Sequence, residues 1–267
     1  MPIHEINGCP MHYHISGDGI PLLFIHPPLL TKAIFAAQTA DLSTDYQVIT
    51  YDIRGHGHSG YSSQALTYSL LAEDILRLMD YLELDSAYLC GYSTGGSVAL
   101  HAMLSYPDRF RGAVLISSMP EMTDWYNRFR LRLATALSFA GAGRLLAAPF
   151  ALRNSPSRHY FSRLYKEAVR GYPRNWRDYF RCSLSFTCSD RLGEIKHPVM
   201  LLYGSKDRPY HRYARVLREN LPAARLFTLA EKHPIPSKAS RSMNGLIRRW
   251  TDQLENGKAV PLAHGKT

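Results

Sequence analysis

The chain has 267 residues, 45% of them hydrophobic, which is enough for one sizeable α/β domain with an insertion. No run of about 18 apolar residues occurs, which excludes a transmembrane helix, and four cysteines (Cys9, Cys90, Cys182, Cys188) are too few for a disulfide scaffold. The net formal charge of +10 is unevenly placed: across 119–191 thirteen Arg and Lys face five Asp and Glu, with no zinc-finger, RNA-binding or helix-turn-helix signature beside them, so nucleic acid is not an expected partner.

Up to Gly17 the chain reads as a β-hairpin, in which His12 and His14 alternate and are expected on an exposed strand face. Residues 20–25 and 47–51 are apolar runs of strand length. Residues 66–84 place Leu70, Leu71, Ile75, Leu78, Met79 and Leu82 at helical spacing. Strands follow at 86–92 and 112–116. This alternation predicts an α/β fold with a mostly parallel sheet covered by helices on both faces.

The rhythm stops at 119. Trp125, Phe129, Leu133 and Leu137 recur every four residues and mark one helix face, expected to pack, with Arg128 and Arg132 on a neighbouring face. Gly141 and Gly143 break that helix, and 144–149, 160–169 and 176–184 read as further helices. The sheet resumes at Val199, a short apolar run follows at 225–229, and a helix over 238–254 closes the fold. The last residues, 256–267, read as a flexible tail.

The chemistry concentrates in Gly91-Tyr92-Ser93-Thr94-Gly95, set between the run Ala87-Tyr88-Leu89-Cys90 and a helical segment. A serine on a sharp strand-to-helix turn is a nucleophile elbow, and small residues two before and two after it avoid collision. The turn aims the Thr94 N–H and the helix start at a developing oxyanion. Asp207 follows the apolar run 198–203 and a Gly turn, at the carboxyl edge of a parallel sheet. His233 follows the run 225–229. Ser, Asp and His thus occur in the chain order of a nucleophile–base relay. Alone, Asp207 also fits a helix cap and His233 a loop histidine; Asp124 is the other acid to consider.

The chain resembles the α/β-hydrolases over nearly its whole length, and among them the capped serine hydrolases. Asp52-Ile53-Arg54-Gly55-His56-Gly57-His58-Ser59 matches the family's D-x-R-G-x-G-x-S loop, whose role there is mainly structural, so Asp52, Arg54, His56 and His58 are not assigned to chemistry. His56 and His58 stand two apart, but no carboxylate or cysteine cluster accompanies them, so no metal is expected there. The resemblance implies a core of 1–118 and 192–255 with a helical cap at 119–191. It implies Ser93 as nucleophile, His233 as base and Asp207 as its acid, with Thr94 as one oxyanion donor. Where the family has His-Gly-x, this chain has His26-Pro27-Pro28. Pro28 has no N–H to give, so either Leu29 donates or the hole is incomplete; the second donor is expected at Leu29, because two prolines stiffen the loop.

The expected activity is that of a carboxylesterase acting on small esters through an acyl-enzyme. Carbon–carbon or lactone hydrolysis by the same residues, and a slow-turnover receptor on the same fold, are the alternatives. No cofactor and no metal are expected. The expected partner is a small molecule with an acyl group, not a membrane, and the chain is expected as monomer or homodimer. Met1-Pro2-Ile3-His4-Glu5-Ile6 lacks the marks of a secretory signal, so a cytoplasmic location is expected.

Overall fold

The computed structural model describes residues 2–139 and 142–257; Gly141, read above as a helix break, and the tail from 258 onward lie outside the described residues. β1 (Ile3–Ile6) and β2 (Cys9–Ser16) form the expected hairpin. Asn7 and Gly8 between them both take positive φ, 49° and 69°, as a two-residue hairpin turn with the twist of its strands requires.

The remaining strands are β3 (Ile20–Ile25), β4 (Tyr46–Tyr51), β5 (Ala87–Tyr92), β6 (Phe110–Ile116), β7 (Val199–Gly204) and β8 (Ala224–Leu229). They complete one eight-stranded sheet in the order β1-β2-β4-β3-β5-β6-β7-β8. The β1/β2 and β2/β4 pairs are antiparallel and the rest parallel. Parallel neighbours need crossovers, supplied by α1 (Ala36–Leu42), α2 (Tyr68–Tyr81), α3 (Thr94–Ser105) and α8 (His211–Asn220).

Strand alternation sorts the core into two layers. Leu23, Leu89, Leu115 and Leu201 face one side with Leu71, Ile75 and Leu78 of α2. Leu22, Cys90, Val114 and Met200 face the other with Leu42, Ile247 and Trp250. The closing helix is α10 (Ser240–Asn256), preceded by a single turn, α9 (Ile235–Lys238), and ended by Gly257 at φ 62°. Asn256, read above as the start of the tail, is thus its last helical residue.

Among the described residues, four α-helices lie between β6 and β7: α4 (Trp125–Phe139), α5 (Gly143–Arg153), α6 (Arg158–Ala168) and α7 (Pro173–Ser185). In α7 the apolar spacing does mark the buried face: Trp176, Tyr179 and Phe180 are all within 1% of full burial. This helix is tied to the sheet side by Tyr172 N–H to the Gly55 carbonyl (2.8 Å) and Asn175 Nδ2 to the Ser62 carbonyl (2.9 Å).

In α4 the expectation fails for three of the four residues, Leu137 alone being half-buried and packed in the cluster with Ala134 and Trp176. Trp125, Phe129 and Leu133 are 77%, 59% and 48% exposed, while the residues turned inward are the small or polar Asn127, Ala134 and Ser138. Periodicity shows that side chains share a face, but small residues let α4 pack on its opposite side, against α7.

Candidate active site

Ser93 sits between β5 and α3 with φ 54° and ψ −123°, a region a residue with a Cβ enters only at a cost of roughly 1–3 kcal/mol. The turn is held by Ser93 N–H to the Ile116 carbonyl (2.8 Å) and Gly96 N–H to the Ser93 carbonyl (3.0 Å). The glycines around it are needed for space. A Cβ on Gly91 would strike the Gly96 backbone, and one on Gly95 would strike the Ile25 carbonyl at the end of β3. Gly96, not singled out by the motif, is equally constrained, by the Ser118 side chain.

The sheet edge brings the other two residues to the serine. Asp207 Oδ2 lies 2.8 Å from His233 Nδ1, and His233 Nε2 lies 3.1 Å from Ser93 Oγ. A carboxylate only accepts, so Nδ1 carries the proton and Nε2 is left to accept from the serine hydroxyl. All three residues are buried.

The acid and base loops are stitched together by Ser205 N–H to the Leu229 carbonyl (2.8 Å) and Lys206 N–H to the Glu231 carbonyl (3.0 Å). Gly204 permits this, because a Cβ there would collide with the Glu231 carbonyl. Asp124 is engaged elsewhere: its carboxylate accepts from Asn127 N–H (2.7 Å) at the start of α4 and from the Tyr213 hydroxyl.

Burial lowers the basicity of His233; Asp207 opposes this, and Arg153 and Arg130 add to the lowering. The imidazole is therefore held neutral, the state a general base needs. The Tyr210 ring stands 4.1 Å from it and the Tyr92 ring 5.4 Å, fixing its plane from two sides.

Thr94, the first residue of α3, lines the cavity beside Ser93. Leu29 lies close but differently. Leu30 N–H bonds the Pro27 carbonyl (3.3 Å) and Leu29 has φ 63°, the pattern of a turn with proline second and a left-handed residue third. Pro28 and Leu30 line the cavity, whereas Leu29 is fully buried and its side chain packs with Ala134, Leu146, Trp176 and Phe180. No acceptor for the Leu29 N–H is found among the described residues.

A residue the sequence reading left without a role, His26, braces this turn. Its Nε2 accepts from Ile53 N–H (2.9 Å), so Nδ1–H donates to the Pro27 carbonyl (2.9 Å).

The cavity above Ser93 has a volume of about 230 Å³. Its walls are mostly apolar, with Leu131, Leu146, Phe150 and Phe180 from α4, α5 and α7. Two arginines also line it, Arg130 and Arg153, which spacing alone had not separated from the other basic residues of 119–191.

The family profile of the alpha/beta hydrolase fold matches residues 20–233. The chain belongs to the α/β-hydrolase fold family. Over 116 residues it is 33% identical to the sn-1-specific diacylglycerol lipase of Danio rerio, a match spanning 43% of this chain and 36% of that protein. Over 177 residues it is 28% identical to 3-oxoadipate enol-lactonase 1 of Acinetobacter baylyi, spanning 64% of this chain and 65% of that one. The match thus covers only about a third of the first relative's length. An esterase from Exiguobacterium antarcticum shares the fold with a TM-score of 0.84 at 19% identity, over 94% of this chain and 98% of that one.

In this α/β-hydrolase enzyme the loop from Asp52 to Ser59 is a strut. Asp52 accepts from His12 Nδ1 (3.0 Å), Lys32 N–H (2.9 Å) and His58 N–H (3.1 Å). Burial alone would raise its carboxyl, but the His12 hydrogen bond, the His26 ring and the Lys32 amide outweigh it, and the net shift is downward. His12 is therefore buried against a carboxylate and does not lie on the exposed strand face expected for it. Arg54 is likewise buried, its Nε 2.6 Å from Asp74 Oδ2. His56 Nδ1 lies 3.1 Å from the Arg54 carbonyl, and His58 pairs with Glu167 at 2.8 Å. No helix among the described residues is long and apolar enough to cross a membrane.

Proposed function

We propose that the enzyme is a serine hydrolase acting on small carboxylic esters through an acyl-enzyme. The observation that carries this is the unbroken series from Asp207 Oδ2 through His233 to Ser93 Oγ, at 2.8 and 3.1 Å, opening onto a small apolar cavity.

Ser93 Oγ attacks the ester carbonyl as His233 Nε2 takes the hydroxyl proton, and Asp207 holds the resulting imidazolium. The carbonyl oxygen, now an anion, is held by the Thr94 N–H and, as second donor, by the Leu29 N–H. A buried N–H with no acceptor is costly and uncommon; here it is one a substrate oxygen would satisfy. Collapse of the adduct breaks the ester C–O bond, and His233 returns the proton to the departing alkoxide. Water then attacks the acyl carbon, losing a proton to His233, and collapse releases the acid and restores the Ser93 hydroxyl.

The reaction as proposed uses neither metal nor cofactor. A lactone is an internal ester and is opened by the same steps. In this reading 119–191 is the cap over a core of 1–118 and 192–255, and its apolar walls set acyl size. The four cysteines are unpaired, which fits the reducing cytoplasm.

Fluorophosphonate labelling of the wild type beside Ser93→Ala tests the nucleophile, followed by turnover of p-nitrophenyl esters of graded chain length. Labelling that requires Ser93, with turnover peaking at a short acyl chain, is the expected result. Labelling without turnover of any ester would shift the reading to carbon–carbon hydrolysis or a ligand-binding role. Labelling that persists in Ser93→Ala would overturn it.

A further inference from the structure

Among the described residues, the cavity above Ser93 is lined by two arginines and by no carboxylate. Arg130 enters from α4 and Arg153 from the end of α5. The chain over 125–154 holds five arginines and no Asp, Glu or Lys, so neither helix supplies a counter-charge. Arg130 is half-buried; its contacts are the Asn127 side chain at 3.5 Å and the Tyr126 ring at 5.4 Å, both uncharged. No ion pair to either arginine is found among the described residues.

The other basic groups nearby are different. Arg153 and Arg132 are both exposed, but neither Arg132 nor Arg128, which donates to the Met122 carbonyl, lines the cavity. Both cavity arginines line the same cavity as His233, and their charge adds to the lowering of its basicity.

Two uncompensated guanidinium groups beside a neutral base disfavour the imidazolium that catalysis must form. An anion placed between them removes that penalty and gains charge-assisted hydrogen bonds. We propose that the substrate carries a carboxylate on its acyl portion, held by Arg130 and Arg153 while Ser93 attacks the ester or lactone carbonyl. The cavity is small, below the ~300 Å³ at which ligand pockets usually begin, so the acyl chain between carboxylate and carbonyl is short. This inference rests on the serine-hydrolase reading and names its substrate class.

The test compares kcat/KM for mono-p-nitrophenyl glutarate with that for p-nitrophenyl pentanoate, its uncharged counterpart. The wild type is expected to prefer the half-ester by ~10- to 100-fold, the weight of one or two charge-assisted hydrogen bonds. Arg130→Gln and Arg153→Gln should each lower that ratio, and the double variant should bring it near one. Arg132→Gln, which removes the same charge from the same helix outside the cavity, should leave the ratio in place.

Calorimetric binding of glutarate to Ser93→Ala, with and without the two arginine substitutions, gives a readout that needs no turnover. Binding lost only when the arginines are replaced supports the site even if neither ester is cleaved, an outcome that would remove the esterase reading alone. No preference in the wild type together with no glutarate binding overturns the proposal. So does an Arg132→Gln effect equal to those of Arg130→Gln and Arg153→Gln.

Discussion

Ser93 and His233 divide one task between a strained backbone and a buried ring. Removing the hydroxyl in Ser93→Ala should abolish covalent labelling while the thermal melt stays close to wild type, since the strain lies in φ and ψ and both residues carry a Cβ. Asp207→Asn keeps the shape but reverses the hydrogen bond to Nδ1, presenting the wrong tautomer to Ser93. A fall in kcat of roughly 10⁴ is the expected scale, and an unchanged kcat would return Asp124 to consideration. The base also has a pH signature. His233 must be neutral to act, and burial and the arginines hold its pKa below the ordinary 6.5. Activity should therefore decline only as pH falls below 6.5. Removing positive charge in Arg130→Gln/Arg153→Gln makes the imidazolium easier to form, so the acid limb of kcat/KM for a neutral ester should move to higher pH.

At the level of elements, the site depends on how closely strands and loops approach. Gly91, Gly95 and Gly96 each leave no room for a methyl group against fixed backbone or a buried side chain. Gly96→Ala, outside the five-residue motif, should therefore cost labelling as severely as Gly95→Ala. The Arg54–Asp74 pair is 1% exposed on both sides and pins the Asp52–Ser59 loop to α2. Arg54→Met should destabilise by about 3–5 kcal/mol in denaturant melts, because it leaves Asp74 buried without its counter-charge. Arg54→Met/Asp74→Leu should recover part of that loss.

Ser93, Asp207 and His233 were legible in the sequence because each follows an apolar run at the carboxyl edge of a strand, a position that local pattern reveals. The alternation of strands and helices was legible for the same reason. The strand order was not, since β3 inserting between β4 and β5 depends on pairing between distant segments. Nor was α1, whose seven residues are too few to show a period. The bracing roles of His12 and His26 were not legible, because their partners, Asp52 and the Ile53 amide, come from another strand's end. Arg130 and Arg153 differ from eleven other basic residues in 119–191 only by where α4 and α5 happen to turn.

For the molecule as a whole, buried imidazoles set the response to acid. Burial holds His26 and His233 below 6.5, and drives His56, with the nearby His26 ring adding to it, down to about 3. The unfolded chain binds these protons near pH 6.5 and the folded chain does not. Stability is thus full above 6.5 and is lost as pH falls through that value, by up to about 1.4 kcal/mol per pH unit for each ring still neutral. Asp52, shifted downward, adds a loss of the same sign at lower pH. Thermal melts should fall steadily from pH 7 to 4, and His56→Gln should flatten that slope.

Leu29 joins two parts of the enzyme that are usually considered separately. Its side chain is one of five buried residues in a cluster otherwise drawn from α4, α5 and α7, and its amide is the proposed second oxyanion donor. Any displacement of those helices pulls on the same residue that must hold the anion. Lid position and transition-state stabilisation then share one coupling free energy: an acyl group too large to let the helices settle still binds, but meets a half-formed anion hole. Discrimination against oversized substrates would accordingly register as a lost turnover number and leave affinity largely intact, so that the enzyme selects by rate among ligands it does not exclude.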